Sequence, residues 1–384
     1  MRRLALLTLA LTLAVCGSAA ARDPGRWTLA GWSSVSNNYW QGVSSAGPGQ
    51  PLFFTGPVEG LHRTARNLRQ TGSVGSVIPP SVKAVEGYNH VGDPGFQGGR
   101  VLLPLECYTP GGPNGGNTCG TGSIGVADPA MLGFEYYVKL DPAEIPKAMW
   151  VEAQGDLLWT SSGPDLLAYR ASDVSAGNAA PGAAPIRAVR RLPGAVPPSG
   201  VTGAAIYRGR LLLAGTQGTT YQVWSVDTDT GARRLELELP RVQGEAEGLT
   251  QIPLLGGRLH FVVAPLAANP TFGPSVGMLH FATGRWARRG LRVTVRASRQ
   301  SSRRPRVHAR VTRRGVPVEN AVVTVAGTRT TTNARGRATV RPSLAVPGTF
   351  AAMAHRGRRR GRSKFVRLGE APAAAGPSRT TPAG

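Results

Sequence analysis

Arg208-Gly209-Arg210-Leu211-Leu212-Leu213 is the clearest copy of a pattern that recurs along the chain: a glycine turn, a polar residue and an apolar run. The other copies are Gly98-Gly99-Arg100-Val101-Leu102-Leu103, Gln154-Gly155-Asp156-Leu157-Leu158-Trp159, Gly256-Gly257-Arg258-Leu259-His260-Phe261 and the degenerate Gly49-Gln50-Pro51-Leu52-Phe53-Phe54. The turn glycines of the four complete copies are 56, 54 and 48 residues apart. A glycine turn that enters a buried strand at a period near ~50 residues is typical of a β-propeller blade. We therefore predict an all-β fold in which residues 27–290 form a propeller of about five blades.

The composition excludes several other classes of protein. The chain has 384 residues, of which 51 are Gly and 31 are Pro, and 41% are apolar. That apolar content is sufficient for one large or two ordinary cores. Charged residues make up only 17%, which argues against a coiled coil and against a disordered polyampholyte, and three cysteines are too few for a disulfide knot.

The N-terminus has the three parts of a secretory signal peptide. Met1-Arg2-Arg3 is basic, residues 4–15 are apolar and residues 17–21 are small. We expect residues 1–21 to be removed and the mature protein to be secreted, with cell-wall association as a further expectation. Lipidation of Cys16 is an alternative, although Val15 stands where a lipoprotein signal has a small residue. No other run approaches the ~20 apolar residues of a membrane span, so we expect no transmembrane segment in the mature chain.

Export leaves two cysteines, Cys107 and Cys119, which enclose a short stretch rich in Gly, Pro and Asn. Two cysteines that close a short loop in an oxidising compartment are expected to pair. We predict a disulfide, because a zinc site would have only two sulfur ligands and no nearby histidine.

Short segments about ten residues before the apolar runs should line the central channel of a propeller. Their polar residues would converge on one axis from five separate blades, and these are Gln41, Asn89, His90, Asp93, Glu152 and Glu247. We take this set as the candidate ligand site of the channel. The alternative is that these groups only satisfy buried backbone and trapped water.

Glu247-Gly248-Leu249 resembles a motif of secreted propellers of the gluconolactonase and phytase-like esterase kind, and Glu59-Gly60-Leu61 and Glu86-Gly87-Tyr88 echo it. In those families the Glu of the motif holds a channel metal. The resemblance implies a cation on Glu247. From their residue types, Asp93 and Asn89 would be further oxygen ligands in a hydrolase. Oxygen ligands favour calcium, and His90 would then be an acid, a base or a hydrogen-bond donor.

The C-terminal part of the chain is strongly basic. Residues 285–367 contain 22 Arg and one Lys against the single acid Glu319, within a formal net charge of +24 for the whole chain. Residues 291–368 resemble bacterial Ig-like and carboxypeptidase regulatory-like domains in the pattern from Gly315 to Val340. The resemblance implies a small β-sandwich that acts as a spacer or surface-binding module. Residues 369–384, rich in Ala, Pro, Ser and Thr, should be disordered.

Arginine runs in this module predict a surface for polyanions, since such a field attracts them. The candidate residues are Arg303, Arg304, Arg306, Arg313, Arg314, Arg358, Arg359, Arg360 and Arg362. For an exported protein the expected partner is an anionic cell-wall or extracellular polymer. We do not expect sequence-specific nucleic-acid binding, because the aromatic residues that stack bases are scarce here. The arginine content could also serve only solubility.

Together these features favour an extracellular binding protein over an enzyme. The propeller would hold a small-molecule or carbohydrate ligand, and the sandwich would hold an anionic surface. A metal-assisted hydrolase of esters, lactones or phosphates is the first alternative. A purely structural cell-envelope protein is the second.

Overall fold

The computed structural model describes residues 27–56, 58–109, 118–179, 182–241, 244–264, 276–284, 286, 290–298 and 304–369. The proposed signal segment with Cys16, the C-terminal tail from residue 370 and Arg303 lie outside these ranges. Strand β1 (Trp27–Val35) is the first described element, and its pairing is given below.

The next four sheets follow one another along the chain, and each is antiparallel. The first sheet contains β2 (Gly42–Ser45), β3 (Leu52–Thr55), β4 (Leu61–Thr64) and β5 (Gln70–Val74). After helix α1 (Pro80–Glu86), the second contains β6 (His90–Val91), β7 (Gly95–Gln97), β8 (Arg100–Glu106), β9 (Ser123–Ala127) and β10 (Phe134–Lys139). The third contains β11 (Glu152–Gln154), β12 (Leu157–Ser162), β13 (Asp165–Arg170) and β14 (Arg190–Leu192). The fourth contains β15 (Gly203–Tyr207), β16 (Arg210–Gln217), β17 (Thr220–Val226) and β18 (Arg233–Pro240).

The repeat copies lie where the propeller prediction needs them. The apolar run of each copy forms a strand next to the innermost strand of its sheet, and the side chains of these runs are almost all buried. At the turn before β16, Arg208 and Gly209 both have positive φ, 52° and 77°. A two-residue turn of this kind matches the twist of the strands that it joins, which explains the recurrent glycine.

The fifth sheet combines both ends of the propeller region. It contains β19 (Glu245–Leu254), β20 (Gly257–Ala264) and β21 (Val276–Thr283), and β1 is paired with β21 along its length from Trp27 to Val35. The N-terminal strand β1 therefore completes this sheet. The first described residue, Trp27, therefore pairs with Thr283 at the end of β21.

The basic C-terminal region forms eight strands in two packed groups. One group contains β22 (Arg292–Ser298), β23 (Arg306–Arg313), β24 (Val316–Pro317) and β27 (Arg337–Val340). The other contains β25 (Val322–Val325), β26 (Thr328–Thr331), β28 (Gly348–Arg356) and β29 (Arg359–Leu368). This second group is continuous with the fifth sheet, because Gly31, Trp32 and Ser33 of β1 pair with β28.

One apolar core crosses the junction between the two regions. Val35, Val262 and Met278 of the fifth sheet belong to the same buried cluster as Val307 and Phe350. The sequence pattern suggested two domains that meet near residue 290. The structure joins them through a shared sheet and a shared core, which the local pattern could not indicate.

The predicted disulfide is present between Cys107 and Cys119, whose Cα atoms are 5.4 Å apart. It links the end of β8 to the segment before β9. Among the described residues, no helix combines the length and the apolar character needed to cross a membrane.

Candidate functional site

Asp93 lies at the centre of the five innermost strands and is 1% exposed. Its Oδ1 accepts a hydrogen bond from Val43 N at 2.7 Å, and its Oδ2 accepts one from Ala204 N at 2.9 Å. Leu249 N also donates to this carboxyl group. On the third sheet, the backbone of Asp93 pairs with the segment around Trp150. Through its side chain and its backbone, Asp93 therefore connects the second sheet to each of the other four.

Glycines allow the inner strands to approach this closely. A Cβ on Gly248 would lie 2.4 Å from Val43 N, and one on Gly203 would lie 2.2 Å from Glu247 O. A Cβ on Gly42 would lie 2.5 Å from Asp93 Oδ1. The inner strands are therefore in direct contact around Asp93. Their backbone atoms and the Asp93 carboxyl group fill the centre of the fold.

Glu152 and Glu247 lie on either side of Asp93 along the same axis. The Oε1 of Glu152 accepts from Ile206 N at 3.1 Å, two residues beyond the N–H that Asp93 accepts. Although the side chain of Glu152 keeps some solvent contact, burial raises its pKa to about 8. Burial, and then the charges of Glu245 and Asp93, raise the pKa of Glu247 well above its usual range.

Glu247 opens into a cavity of about 800 Å³ at the end of the fold where the inner strands begin. The structure brings four of the six predicted channel residues to this cavity, and they are Gln41, Asn89, His90 and Glu247. Asp93 and Glu152 do not line it, because they lie deeper between the strands. Two aromatic side chains, the half-buried Trp40 and the exposed Tyr108, also line it.

Glu106 and Lys147 complete a charged cluster in the cavity, and the sequence analysis did not find them. His90 Nδ1 is 2.7 Å from Glu106 Oε1, and Lys147 Nζ is 3.1 Å from Glu106 Oε2. Glu106 ends β8, directly opposite His90 in the register. Its position at the end of a repeat strand could have drawn attention to it, but Lys147 is in a loop without any recognisable pattern.

A second cavity of about 770 Å³ adjoins the first, and Lys147, Met149 and Thr202 line both. Cys119 of the disulfide lines its edge, with Ser161, Ser162 and Ser199. The two cavities together form a groove across this end of the propeller, lined by both apolar and polar groups.

The three residues predicted to hold calcium differ in their surroundings. Both oxygens of Asp93 accept backbone N–H groups, and the amide of Asn89 exchanges two hydrogen bonds with the backbone of Tyr108. Only the carboxyl group of Glu247 has no hydrogen bond from another described residue. Across the described ranges, no three His, Cys, Asp or Glu side chains are grouped as metal ligands. This donor set does not fit a cation on Asp93, and of the three predicted ligands it leaves only Glu247 with free oxygens, which are too few for calcium.

The predicted polyanion residues do not form one surface. Arg304 and Arg306 lie at the start of β23, whereas Arg313 and Arg314 lie at its end. At that end, the β28–β29 hairpin places Arg359 beside Arg313 and Arg314 around a cavity of about 690 Å³.

Two residues of the predicted set have contacts with the rest of the fold. Arg362 Nη1 donates to Leu29 O of β1 at 3.0 Å, and the guanidinium of Arg360 covers the ring of Trp286 at 5.4 Å. Arg362 thus links β29 to β1 of the fifth sheet.

The outer face of the β22–β23–β27 sheet carries a row of exposed arginines that the runs did not include. Arg310 is directly opposite Arg337, and Arg292 and Arg296 lie on the same face of β22, while Val293 and Val307 point into the core. The alternation of the strands could have predicted this row, because every second residue of β22 and β23 is apolar and the residues between them share the opposite face.

Structural neighbours of the chain are β-propeller-type proteins. The glutaminyl cyclase of Myxococcus xanthus is 10% identical with a TM-score of 0.42, covering 68% of this chain and all of the cyclase chain. The Pan2 WD40 domain of Neurospora crassa is 8% identical with a TM-score of 0.31, and the match covers 84% of this chain and 96% of the domain. An exo-β-1,3-galactanase of Phanerochaete chrysosporium is 10% identical with a TM-score of 0.41, and the match covers 90% of this chain and 94% of the galactanase chain. No protein family and no curated protein matches the sequence. Similarities at this level concern the fold and carry no argument about activity.

Proposed function

We propose that this chain is a secreted binding protein with two ligand surfaces. The first five sheets would be the blades of a five-bladed propeller, and strands β22–β29 would form an Ig-like sandwich. The groove at one end of the propeller would bind a hydroxyl-rich ligand such as an oligosaccharide. The basic sandwich would bind an anionic cell-wall or extracellular polymer. The sequence of residues 1–21 and the disulfide support an extracytoplasmic location.

The observation that carries the groove proposal is the surroundings of the Glu247 carboxyl group. It is 7% exposed, it faces the cavity, and no described cation neutralises it. A buried carboxyl group without a partner is costly until a ligand hydroxyl supplies a hydrogen bond. Gln41 and Thr202 add further donors and acceptors, and Trp40 and Tyr108 offer ring faces for the apolar side of a sugar.

The shape of the site favours an extended ligand over a single sugar. The two adjoining cavities share a wall, so one ligand could contact both Glu247 and the serines near Cys119. Ligand sites are usually apolar with a few placed polar groups, and this open groove likewise has more apolar than polar lining surface.

Binding should be measured by calorimetry with a panel of neutral hexasaccharides that differ in sugar and linkage. At least one should bind, and Glu247→Gln and Trp40→Ala should each weaken it about tenfold. Glu152→Gln is the matched control, because Glu152 lies on the same axis but outside the cavity. Equal losses in the control, or no binding across the panel, would contradict the groove proposal.

Hydrolysis is a second candidate because His90 and Glu106 are in direct contact in the same cavity. A carboxylate that is hydrogen-bonded to a histidine is the arrangement of a general base, and here the two groups are 2.7 Å apart without hydrogen-bond geometry. In this version His90 would take a proton from water, and Glu247, whose pKa is raised, would be the proton donor. Turnover of an ester, lactone or phosphate ester that is abolished in His90→Ala would favour the enzyme over the binding protein.

Polymer binding rests on the outer arginine face. None of Arg292, Arg296, Arg310 and Arg337 has an ion pair with a described carboxylate, so their charge is available to a partner. Like charges directly opposite each other, as in Arg310 and Arg337, are unfavourable until an anion lies across them.

Binding to polygalacturonate tests the sandwich surface. Affinity should fall steeply as salt increases, and Arg310→Gln/Arg337→Gln should weaken it more than the charge-matched Arg69→Gln/Arg170→Gln on the propeller. Equal effects of the two double variants would show that net charge alone attracts the polymer.

A further inference from the structure

Two glycine turns pack against each other where the propeller meets the sandwich. Leu255 and Gly256 form the turn between β19 and β20, and Ala326 and Gly327 form the turn between β25 and β26. All four residues have positive φ, so both turns have the twist of a two-residue hairpin. A Cβ on Gly327 would lie 3.3 Å from Leu255 Cα, so the two turns are in direct contact.

An arginine follows each turn at the same interval. Arg258 is three residues after Leu255, and Arg329 is three residues after Ala326. Both side chains are exposed at the edge of a cavity of about 760 Å³ that the two turns help to form. The contact between the turns thus places one cation from each region at the same opening.

Two further arginines reach this cavity from other elements. Arg66, in the loop between β4 and β5, donates a hydrogen bond to the backbone oxygen of Pro253 on β19. Arg360, from the β28–β29 hairpin, lies over Trp286 and donates to Thr283 O at 3.4 Å. His355 also lines the cavity, and its ring contacts Trp286 edge-on.

The charge of this cavity is uncompensated among the residues that the structure describes. Its lining includes four arginines and one histidine but no aspartate or glutamate. None of the four arginines has an ion pair with a described carboxylate. Apolar residues such as Leu254 and Met353 form part of the wall, and a low-dielectric wall strengthens the field inside a cleft.

We infer that this junction cavity is a binding site for a small, multiply charged oxyanion, of the phosphate or sulfate class. Guanidinium groups bind such groups through paired N–H donors, and four of them converge here from three separate parts of the fold. A bound oxyanion would also bridge the propeller to the sandwich. This site goes beyond the proposed polymer surface, since two of its arginines belong to the propeller.

Titration with inorganic tripolyphosphate at constant ionic strength tests the inference. The full chain should bind it with saturation and show a higher Tm in its presence. Arg66→Gln/Arg258→Gln removes only the two propeller arginines and should weaken tripolyphosphate about tenfold or more. The same variant should leave polygalacturonate binding nearly unchanged.

Arg310→Gln/Arg337→Gln is the matched control, because it removes the same charge from the outer sheet face. It should retain tripolyphosphate binding while it loses the polymer, so the two proposals can fail separately. Equal weakening of tripolyphosphate in both double variants would overturn the junction site in favour of general charge attraction. Absence of saturable binding to the full chain would overturn it as well. A sulfated disaccharide titrated in parallel tells whether a phosphate or a sulfate ester is preferred.

Discussion

The rings of His260 and His280 face each other across two adjacent strands, with their Nδ1 atoms 2.8 Å apart and neither residue exposed. The contacts of the two Nε2 atoms with Ile252 and Ser33 define which nitrogens carry the protons. His260 Nε2 is 2.7 Å from Ile252 O, which can only accept, so His260 donates there and accepts at Nδ1. His280 then donates from Nδ1, and its Nε2 accepts from Ser33 Oγ at 2.8 Å. With this pattern both histidines are neutral, and they lie beside the contact between β1 and β28.

Acidification should destabilise the protein through this pair. Burial lowers the pKa of His260 to about 4, and burial with the nearby His260 lowers the pKa of His280 well below its usual value. Unfolded histidines titrate near pH ~6.5, so below that pH the unfolded chain binds more protons than the folded one. The pair should therefore contribute a loss in the free energy of unfolding of about 1 kcal/mol or more per pH unit from about pH 6.5 to 4, a loss that the raised pKa values of Asp93, Glu152 and Glu247 oppose. Denaturant titrations across this range provide the measurement.

His280→Gln should remove part of this contribution, so that its free energy of unfolding gains on that of the unmodified chain as the pH falls, whereas His308→Gln, on an exposed strand face, should show a constant difference. A slope in His280→Gln that matches the unmodified chain would assign the acid sensitivity to other groups.

Glu152→Gln should stabilise the fold at alkaline pH. The pKa of Glu152 is raised to about 8, so between pH ~4.5 and 8 the folded state holds a proton that the unfolded state releases. Stability is lost as the pH rises through this window, and an amide avoids the loss while its oxygen still accepts from Ile206 N. Thermal melts should show a higher Tm than the unmodified chain at pH 8 and a much smaller difference at pH 5. A constant difference at both pH values would rule out this cause.

Gly248→Ala should strongly destabilise the propeller. The new methyl carbon would lie 2.4 Å from Val43 N and 2.6 Å from Gly42 Cα, and backbone atoms at the centre of five sheets have no room to move. We expect a loss of about 3 kcal/mol or more in urea unfolding. Gly75→Ala is the control, because no atom lies within 4 Å of its added carbon. A loss below about 1 kcal/mol would mean that the inner strands are less tightly packed than described.

Calcium and EDTA should leave the Tm of the full chain unchanged. The oxygens of Asp93 already accept three backbone N–H groups, which leaves little capacity for a cation. A calcium-dependent gain in Tm that disappears in Glu247→Gln would contradict this prediction. It would support a metal site at Glu247 and favour the hydrolase.

The sequence was sufficient to predict the β architecture. The repeat from Gly49 to Phe261 located the five strands beside the centre, because a buried strand after a tight turn leaves a local record in glycines and apolar runs. The segments that contain Gln41, Asp93, Glu152 and Glu247 lie innermost in the structure. The Cys107–Cys119 disulfide followed from the shortness of the loop between the two residues.

Only the tertiary structure decided what the polar residues do, because hydrogen-bond partners far apart in the chain leave no local pattern. Asp93 was a metal candidate by residue type, yet its partners Val43 and Ala204 come from other sheets and occupy its oxygens. The pairing of β1 with β28 and the meeting of the Leu255 and Ala326 turns likewise depend on how two regions pack. Residue types and periodicity determined the strands, whereas long-range contacts between those strands determined which charges are satisfied and which remain available to a ligand.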